Sequence, residues 1–370
     1  MSKCLVAPLN WGLGHASRCI PLIQRFLNEG HEVVLGGDGE SLVLLRKHFP
    51  KLRYVYLAPL NLRYSKGKRQ VWTMLKALPQ LFFWALKDHE ILKAVLREEH
   101  FDQIISDNRF GLYPSNSPKD GLSAKRSISE AVYQPEAVYI THQLHIMLPK
   151  GWRWLEPLAE RLHARIYAHY NKVWIPDYED INQSLAGKLS HPSTLNIKHS
   201  TSIEYIGPLS RFSLSGEAGL YDVVAVLSGL EPHRTLLEQS IIARYSNSPK
   251  DSLSGEAGHE VLIVQGLMNR PNTRIKRGNI TIVPYMSDAE LVPALLGAKH
   301  IIARSGYSTI MDLHALGLLS NSPKDGLSAE QSISGAVYQR SGPLVELIPT
   351  PGQPEQEYLA TWIAQKTLFL

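Results

Sequence analysis

Short apolar runs alternate with amphipathic stretches along the chain. In the first half, residues 3–9 form an apolar run, a helical pattern follows over 16–29, and the next apolar run is 32–37. A strand, a helix and a second strand in this order predict a βαβ unit with parallel strands. Further apolar runs that end in polar residues predict strands at 101–107, 137–141 and 172–177.

The second half repeats this alternation after the pair Gly207-Pro208, which is typical of a linker. Strands are predicted at 222–227, 260–265, 280–283, 300–303 and 344–348. Helices are predicted at 234–243, 288–296, 307–316 and 355–365. We therefore expect an α/β protein with two Rossmann-like, doubly wound domains that face a cleft. The ligand is expected at the carboxyl ends of the strands.

The length of 370 residues is enough for two domains. The predicted limits are 1–206 for the first domain, 207–220 for a linker and 221–370 for the second domain.

A repeated phrase interrupts this pattern. The ten residues of 115–124 recur as 320–329, and shorter copies occupy 246–258 and 213–219. The phrase is rich in Ser, Gly, Pro and Lys and lacks an amphipathic period, so it can bury little surface. We interpret the copies as low-complexity insertions in surface loops, where added length costs little; a repeated binding motif is the alternative.

Composition places the chain among globular proteins, with 44% hydrophobic residues, 20% charged residues and a net charge of +5. This charge is too small to indicate nucleic-acid binding by itself. Two cysteines, Cys4 and Cys19, exclude a disulfide scaffold and are interpreted as core residues. No signal-peptide pattern or long apolar run is visible, so we expect a cytoplasmic protein, with the inner face of the membrane as a second possible location.

The first motif is the Gly12–His15 turn between a predicted strand and helix. Its two glycines let the backbone approach a ligand, and the helix N-terminus behind it offers unpaired N–H groups. The third glycine of a dinucleotide fingerprint is absent. His15 is either a general base or a capping residue. Asp107, at the end of another strand, is either a second base or the residue that orients His15.

The second motif, Arg304-Ser305-Gly306, also joins a predicted strand to a helix. This turn and the N–H groups of the helix behind it predict an anion site. Asp312 lies about two turns into that helix. Its carboxylate accepts hydrogen bonds from a sugar diol or, in the alternative interpretation, faces solvent. In the same alternative, Ser305 is only an N-cap.

Two further loops follow strands of the second half. Residues 349–358 contain three prolines and the polar side chains of Gln356 and Glu357, which suit sugar hydroxyls. The alternative is a turn stiffened by proline. The segment from Ser228 to Arg234 predicts a second phosphate-facing loop, although Arg234 also fits an ordinary surface position.

Together these motifs resemble the GT-B glycosyltransferases of family 28, the group that includes the enzyme adding N-acetylglucosamine to lipid-linked muramyl peptide. The matching segments, in the order of the family, are 12–18, 228–235, 283–286, 304–312 and 349–358.

The resemblance implies a role for each matching residue. His15 corresponds to the proposed base, Ser305 and Gly306 to the donor-phosphate turn, and Asp312 to the ribose-binding acid, which is Glu in many members. Glu357 stands where many members have a second Gln. The resulting donor-binding set is Gly12, Gly14, Ser228, Gly229, Arg234, Tyr285, Met286, Arg304, Ser305, Gly306, Asp312, Gln356 and Glu357.

The implied function is the inverting transfer of a hexose or N-acetylhexosamine from a nucleotide-diphosphate donor, first of all a UDP-sugar, to a hydroxyl acceptor. No Asp-x-Asp motif occurs at a suitable strand end, so we expect a metal-independent reaction without a cofactor. The expected partners are the donor and a lipid-linked or glycan acceptor. A sugar-nucleotide epimerase of the same fold and an inactive sugar-nucleotide-binding protein are the alternatives.

Two segments concern the expected partners and the length of the last helix. Residues 66–96 are basic, aromatic and apolar, so they predict either peripheral contact with an anionic membrane or a helix packed on its own domain. The chain stops at Leu370, soon after the last predicted helix begins. We therefore expect the helix that returns to the first domain in GT-B proteins to be short or missing.

Overall fold

The computed structural model describes residues 1–60, 70–114, 134–192, 201–214, 219–229, 231–246, 259–319, 336–338 and 343–368, with the backbone alone at 70–78, 336–338 and 367–368. These residues form two compact units. The first contains the described residues within 1–10, 15–63 and 71–209. The second contains those within 11–14 and 210–370, together with residue 70.

The first unit is built on a seven-stranded sheet in the order β3-β2-β1-β4-β5-β6-β7, in which every pairing is parallel. Its strands are β1 Lys3–Pro8, β2 Glu32–Gly37, β3 Tyr54–Tyr56, β4 Gln103–Asp107, β5 Glu136–Ile140, β6 Lys172–Ile175 and β7 Ser202–Tyr205. Its helices are α1 Gly14–Asn28, α2 Gly39–His48, α3 Gln70–Glu98 and α4 Glu156–Tyr167, with 3₁₀ turns at Lys150–Leu155 and Gly187–Leu189.

The second unit has a seven-stranded sheet in the order β10-β11-β9-β8-β12-β14-β13, parallel except for its two edge strands. Its strands are β8 Val223–Val226, β9 Val261–Val264, β10 Ile275–Arg277, β11 Ile280–Val283, β12 His300–Arg304, β13 Ala336–Tyr338 and β14 Leu344–Ile348. Its helices are α5 His233–Ser246, α6 Asp288–Gly297, α7 Tyr307–Ala315 and α8 Pro354–Leu368.

Each sheet has a central switch point that predicts a ligand site. The order of the first sheet reverses between β1 and β4, and that of the second reverses between β8 and β12. Helices follow such adjacent strands on opposite faces, so a crevice opens at the carboxyl ends of the two strands. The central strands are apolar on both faces because helices cover both sides; Leu5, Val6, Ile301 and Ile302 are fully buried.

The predicted α/β class with two doubly wound sheets is confirmed. The predicted strands and helices form, with ends shifted by up to three residues. Sequence reasoning misses α2, α4 and the short strands β3, β7, β10 and β13, whose patterns are too short or too polar to show a clear period. The copies of the repeated phrase lie almost wholly outside the described residues.

Candidate active and donor-binding sites

The first group of candidate residues lies where β1 and β4 end side by side. Pro8 pairs with Asp107 in the parallel register of these strands. Gly12 then has a φ of +81°, a left-handed conformation that glycine adopts without steric cost. This turn leads into α1, so His15 enters the first helical turn beside the carboxyl end of β4.

One hydrogen bond joins His15 to Asp107. Nδ1 of His15 lies 2.8 Å from Oδ1 of Asp107, which is completely buried, whereas 17% of the His15 side chain stays exposed. Because an ionised carboxylate only accepts, this contact assigns the proton to Nδ1 and leaves the lone pair on Nε2. Among the described residues no hydrogen-bond partner reaches Nε2. This nitrogen is therefore the one that can take a proton from a substrate.

Arg18, one turn further along α1, holds the same carboxylate. Its Nε donates to Oδ2 of Asp107 at 2.5 Å, and its Nη2 pairs with Oδ1. The guanidinium also lies 3.0 Å from Nδ1 of His15 and 3.2 Å from Nδ1 of His142. Burial disfavours the Asp107 carboxylate, but the charge of Arg18 and the hydrogen bonds from Arg18 and His15 outweigh burial and hold the pKa of Asp107 well below its usual value.

This geometry distinguishes the two roles predicted for Asp107, which were a second base and the residue that orients His15. A completely buried carboxylate held at two points by Arg18 has little affinity for a proton, so it suits the orientation of His15 better than proton transfer. Sequence reasoning misses Arg18 and His142. The available signal for Arg18 was its spacing of three residues from His15, which places both on one helix face.

A second buried network fixes the same strand end from another direction. Arg109 donates from Nε to Oδ2 of Asp88 at 2.8 Å and from Nη1 to Oδ1 of Asp38 at 2.7 Å. Asn108 between the two networks has a φ of +56°, which asparagine tolerates better than most residues. The turn after β4 thus places Asp107 and Arg109 in separate hydrogen-bond networks, and each network fixes its residue.

The second group lies where β8 and β12 end side by side. Arg304 closes β12 and is 4% exposed. Its Nη2 donates to the carbonyl of His233 at 2.7 Å, and its Nη1 donates to the carbonyl of Pro349 at 3.0 Å. His233 is the first residue of α5, and Pro349 lies in the loop before α8. Arg304 therefore joins two of the loops that the sequence predicts around a donor.

Within the described part of the chain, the charge of Arg304 has no counter-charge, and its hydrogen-bond partners there are main-chain carbonyls. Among the residues that the structure describes, no hydrogen-bond partner reaches its buried Nε or the buried Nε2 of His233. Burial lowers the pKa of Arg304 to about 10, so it stays protonated at neutral pH. A buried cation beside unpartnered nitrogens is an arrangement that an anion would complete.

Helix α7 presents an uncapped N-terminus beside this arginine. Its N-cap is Gly306, no side chain caps it, and its first turn contains no acid. Helix α6 differs, because Ser287 and Glu290 close its N-terminus with a capping box. A Cβ placed on Gly306 would meet no atom within 4 Å. Open space therefore lies beside Gly306, at the end of α7 that carries the positive end of the helix dipole.

Ser305 and Gln356 connect this turn to α8. Ser305 is not the N-cap of α7, because Gly306 takes that position; its Oγ donates to the carbonyl of Gln356 at 2.8 Å. Oε1 of Gln356 accepts from the N–H of Thr350 at 2.8 Å. The amide nitrogen of Gln356 and the exposed carboxylate of Glu357 are thus the groups available to a sugar.

Arg234 differs from Arg304 because carboxylates neutralise it. Its Nη1 lies 3.1 Å from Oε2 of Glu238, and its Nη2 pairs with Glu231. Its charge is thus compensated within α5 and the turn before it, which makes Arg234 less suited to a phosphate than Arg304.

Asp312 is held by the segment that precedes the second sheet. Oγ of Ser210 donates to Oδ1 of Asp312 at 2.6 Å. Burial raises the pKa of Asp312 to about 6, against the opposing effects of the Arg211 charge and the Ser210 hydrogen bond. Asp312 is therefore mostly ionised at pH 7 and can accept hydrogen bonds.

The remaining predicted donor residues follow strand ends or belong to the glycine turn. Gly229 is exposed with a φ of +94°. Gly14 belongs to the second unit, in which Oγ of Ser308 donates to its carbonyl at 3.0 Å. Four more are partly buried. Ser228, Tyr285 and Met286 lie in loops of the second unit, and Gly12 lies in the glycine turn.

The segment predicted to contact a membrane falls on α3, and its residues 66–69 and the side chains of 70–78 lie outside the description. In its described part, Phe82, Phe83 and Leu86 are exposed, as is Glu90. Trp84 is buried. Along the described chain, no helix combines the length and the apolar character needed to cross a bilayer. Nor do these residues contain a group of three or more His, Cys, Asp or Glu placed to hold a metal ion.

The chain is similar to two curated proteins and matches no family model. An uncharacterized glycosyltransferase of Methanosarcina acetivorans is 25% identical over 355 residues, which are 92% of this chain and 82% of that protein. A second uncharacterized glycosyltransferase of the same organism is 23% identical over 356 residues, covering 92% and 84% respectively.

Among solved structures, the chain is similar to UGT2 of Phytolacca americana in complex with UDP-2-fluoro-glucose and pterostilbene. The likeness covers 99% of this chain and 84% of that chain, with a TM-score of 0.51 and 12% sequence identity. At this identity the likeness concerns the fold.

Proposed function

We propose that this chain, a glycosyltransferase of the GT-B fold, transfers a sugar from a nucleoside diphosphate to an acceptor hydroxyl with inversion and without a metal ion. The premise is the similarity to glycosyltransferases over 92% of the chain. The observation that carries the proposal is the uncompensated charge of Arg304 beside the uncapped N-terminus of α7.

The donor diphosphate fits this part of the second unit by charge. The leaving nucleoside diphosphate gains negative charge in the transition state, and fixed donors that are already oriented stabilise it most. Arg304, the N–H groups after Gly306 and the turn at Gly229 supply such donors. The comparison with α6 supports α7 as the helix that binds the diphosphate, because Glu290 already occupies the N-terminus of α6.

The proposed base is His15. Its Nε2 takes the proton of the acceptor hydroxyl, and the hydroxyl oxygen attacks the anomeric carbon. The bond from that carbon to the diphosphate oxygen breaks, and the nucleoside diphosphate leaves with the electron pair. Asp107 holds the tautomer of His15 and stabilises the imidazolium that forms. Arg18 keeps Asp107 ionised and fixed.

The finer donor contacts complete the proposal. Asp312 accepts hydrogen bonds from the ribose, and the amide nitrogen of Gln356 with the carboxylate of Glu357 binds the sugar. We take UDP as the first candidate nucleotide, since the solved structure named above contains UDP-2-fluoro-glucose. The proposed acceptor is a lipid-linked or glycan hydroxyl.

The test combines a panel of UDP- and TDP-sugars with His15→Gln. Calorimetry measures binding of each donor, and chromatography measures free nucleotide, epimerised donor and transferred sugar. We expect the native chain to bind at least one donor. We expect His15→Gln to bind it within about twofold while transfer falls by about 10²–10⁴-fold, the usual contribution of a general base.

Three outcomes contradict the proposal. Equal loss of donor binding and transfer in His15→Gln makes His15 structural. Consumption of the donor to an epimer without an acceptor assigns the epimerase alternative. Donor binding by the native chain with no turnover on any acceptor hydroxyl leaves a sugar-nucleotide-binding protein.

A further inference from the structure

The segment 150–165 of the first unit has an apolar stripe on its outer side. The 3₁₀ turn Lys150–Leu155 leads directly into α4. Trp154 is 75% exposed, Leu158 is 53% exposed and Leu162 is 46% exposed. These residues are spaced four apart, so they share one face of the helical segment. An exposed apolar face of this kind adds no stability to the fold and is typical of an interaction site.

Cations surround this stripe. The exposed charged side chains of the segment are Lys150, Arg153, Arg161 and Arg165. Together with Trp154, Leu158 and Leu162 they define what we call the outer face of 150–165. No acidic residue of the segment is exposed.

The two acids of the segment are turned inward by specific contacts. Glu160 pairs with Nδ1 of His145, and Glu156 lies 3.8 Å from Nε2 of the same histidine. Glu156 also accepts from the N–H of Leu148 at 3.0 Å. The two carboxylate side chains are only 17% and 14% exposed for Glu156 and Glu160. No exposed carboxylate of the segment therefore offsets the positive charge of the outer face.

The inner side of α4 is anchored to the core without using the stripe. Nε2 of His163 lies 3.1 Å from the hydroxyl of Tyr139, and Tyr167 is buried. Burial lowers the pKa of His163 to about 4, so it packs as a neutral side chain. The helix thus has one face for the core and a second, basic and apolar face that its own unit leaves exposed.

We propose that the outer face of 150–165 binds an anionic lipid bilayer. Apolar side chains on a helix that lies along a bilayer enter the boundary between headgroups and acyl chains, and flanking Lys and Arg are attracted by anionic headgroups. A second copy of the same face is disfavoured as occupant, because a twofold contact would oppose like charges.

The proposal moves the expected membrane contact away from 66–96. On the described part of α3, Phe82 and Phe83 are exposed, but Glu90 is 70% exposed on the same helix. Glu90 pairs with Lys93 at 3.0 Å, and with the exposed Glu98 it leaves this part of α3 little net positive charge to attract anionic lipid. The outer face of 150–165 has no exposed carboxylate.

The test is sedimentation of the full chain with large unilamellar vesicles of pure phosphatidylcholine or of phosphatidylcholine with about 30 mol% phosphatidylserine. We expect binding to the anionic vesicles that falls with rising salt. The double variant Arg161→Gln/Arg165→Gln should bind about 25-fold more weakly, since each cation near such a surface contributes about fivefold.

Two further variants isolate the cause. Lys51→Gln/Arg270→Gln removes the same charge from exposed positions elsewhere and should change binding less than about twofold. Trp154→Ser should weaken binding to the anionic vesicles, whereas Trp154→Phe should retain it. Because these side chains are exposed, thermal unfolding should remain unchanged in all variants.

The proposal is overturned by absence of binding to anionic vesicles. Equal loss in the Lys51/Arg270 control would overturn it too, by showing that net charge alone attracts the chain. Dimers that Trp154→Ser dissolves, or capture of an acidic peptide in place of vesicles, would assign the face to a protein. None of these measurements depends on glycosyl transfer, so they stand apart from the proposed function.

Discussion

Arg18 in the first unit and Arg304 in the second are both buried at the central switch point of their sheet, and their surroundings are opposite. Arg18 is 1% exposed and engages both carboxylate oxygens of Asp107. Arg304 is 4% exposed, donates to main-chain carbonyls and has no carboxylate partner in the described chain. The first charge is balanced inside the fold, and the second is not.

This difference in charge balance indicates two different roles. Arg18 helps to orient the proposed base, and Arg304 is part of a proposed anion site. A balanced pair gives Asp107 a fixed position and charge, which orients His15 before any substrate arrives. An unbalanced buried cation costs folding free energy until an anion binds. We therefore expect loss of Arg18 to reduce stability and transfer, and loss of Arg304 to reduce chiefly affinity for a diphosphate.

The largest expected effect is that of Arg18→Met. It leaves the Asp107 carboxylate buried without its cation, which costs about 3–5 kcal/mol of unfolding free energy. Urea unfolding measures the change. Sugar transfer should also fall, because His15 loses the fixed partner of its Nδ1.

Two controls sharpen this expectation. Arg25→Met removes a 60% exposed arginine of the same helix, whose partner is Glu29, and should cost less than about 1 kcal/mol. Adding Asp107→Asn to Arg18→Met should recover part of the lost stability, because the amide is neutral. If the double variant is no more stable than Arg18→Met alone, the unpaired charge is not the cause.

The next effect is on affinity. Arg304→Met should weaken UDP binding by about 10- to 100-fold, the range expected for one charge-assisted hydrogen bond. Calorimetry with UDP measures it. The carbonyls of His233 and Pro349 lose a donor, so we expect a stability loss of about 1–3 kcal/mol, smaller than for Arg18→Met.

Arg234→Met is the matched control for this comparison. Its guanidinium lies in the same unit but is balanced by Glu231 and Glu238. We expect UDP affinity to change less than about threefold in this variant. Equal weakening in Arg234→Met and Arg304→Met would refute the distinction between balanced and unbalanced charge in this unit.

The periodicity of the sequence predicted most of the fold. Apolar runs as clear as Leu5–Ala7 and Ile301–Ala303 are buried on both faces, and such strands leave a strong local signal. All three residues of the edge strand Ile275–Arg277 are exposed, and its sequence has no pattern that distinguishes it from a polar loop. Its place in the sheet depends on an antiparallel partner that local pattern does not reveal.

The residue types and positions of the candidate site could be predicted, but the partners that balance their charges could not. His15 and Arg304 could be placed at strand ends because turn residues follow apolar runs. The partnership of Arg18 with Asp107 spans 89 residues of sequence, and that of Arg304 with Pro349 spans 45. Such contacts arise only when strands distant in sequence become neighbours in a sheet.

The smallest effect concerns pH and extends the comparison to an acid of the second unit. The pKa of Asp312 is raised by burial to about 6, so the folded state binds its proton more tightly than the unfolded state. Unfolding free energy therefore falls as pH rises from about 4 to 6. Asp312→Asn removes this loss and should be more stable than the native chain by about 1–2 kcal/mol at about pH 8, with no gain near pH 3.

Asp222→Asn is the control of opposite sign. The hydrogen bond from Lys299, helped by the N–H of Glu260, lowers the pKa of Asp222, so this carboxylate stabilises the fold above its unfolded pKa and loses that effect as pH falls. Its amide variant should therefore be less stable than the native chain at about pH 8. Urea unfolding at both pH values measures each difference. If Asp312→Asn also loses stability at the higher pH, its carboxylate is compensated in the fold as Asp107 is, and burial does not leave it poised for a ligand.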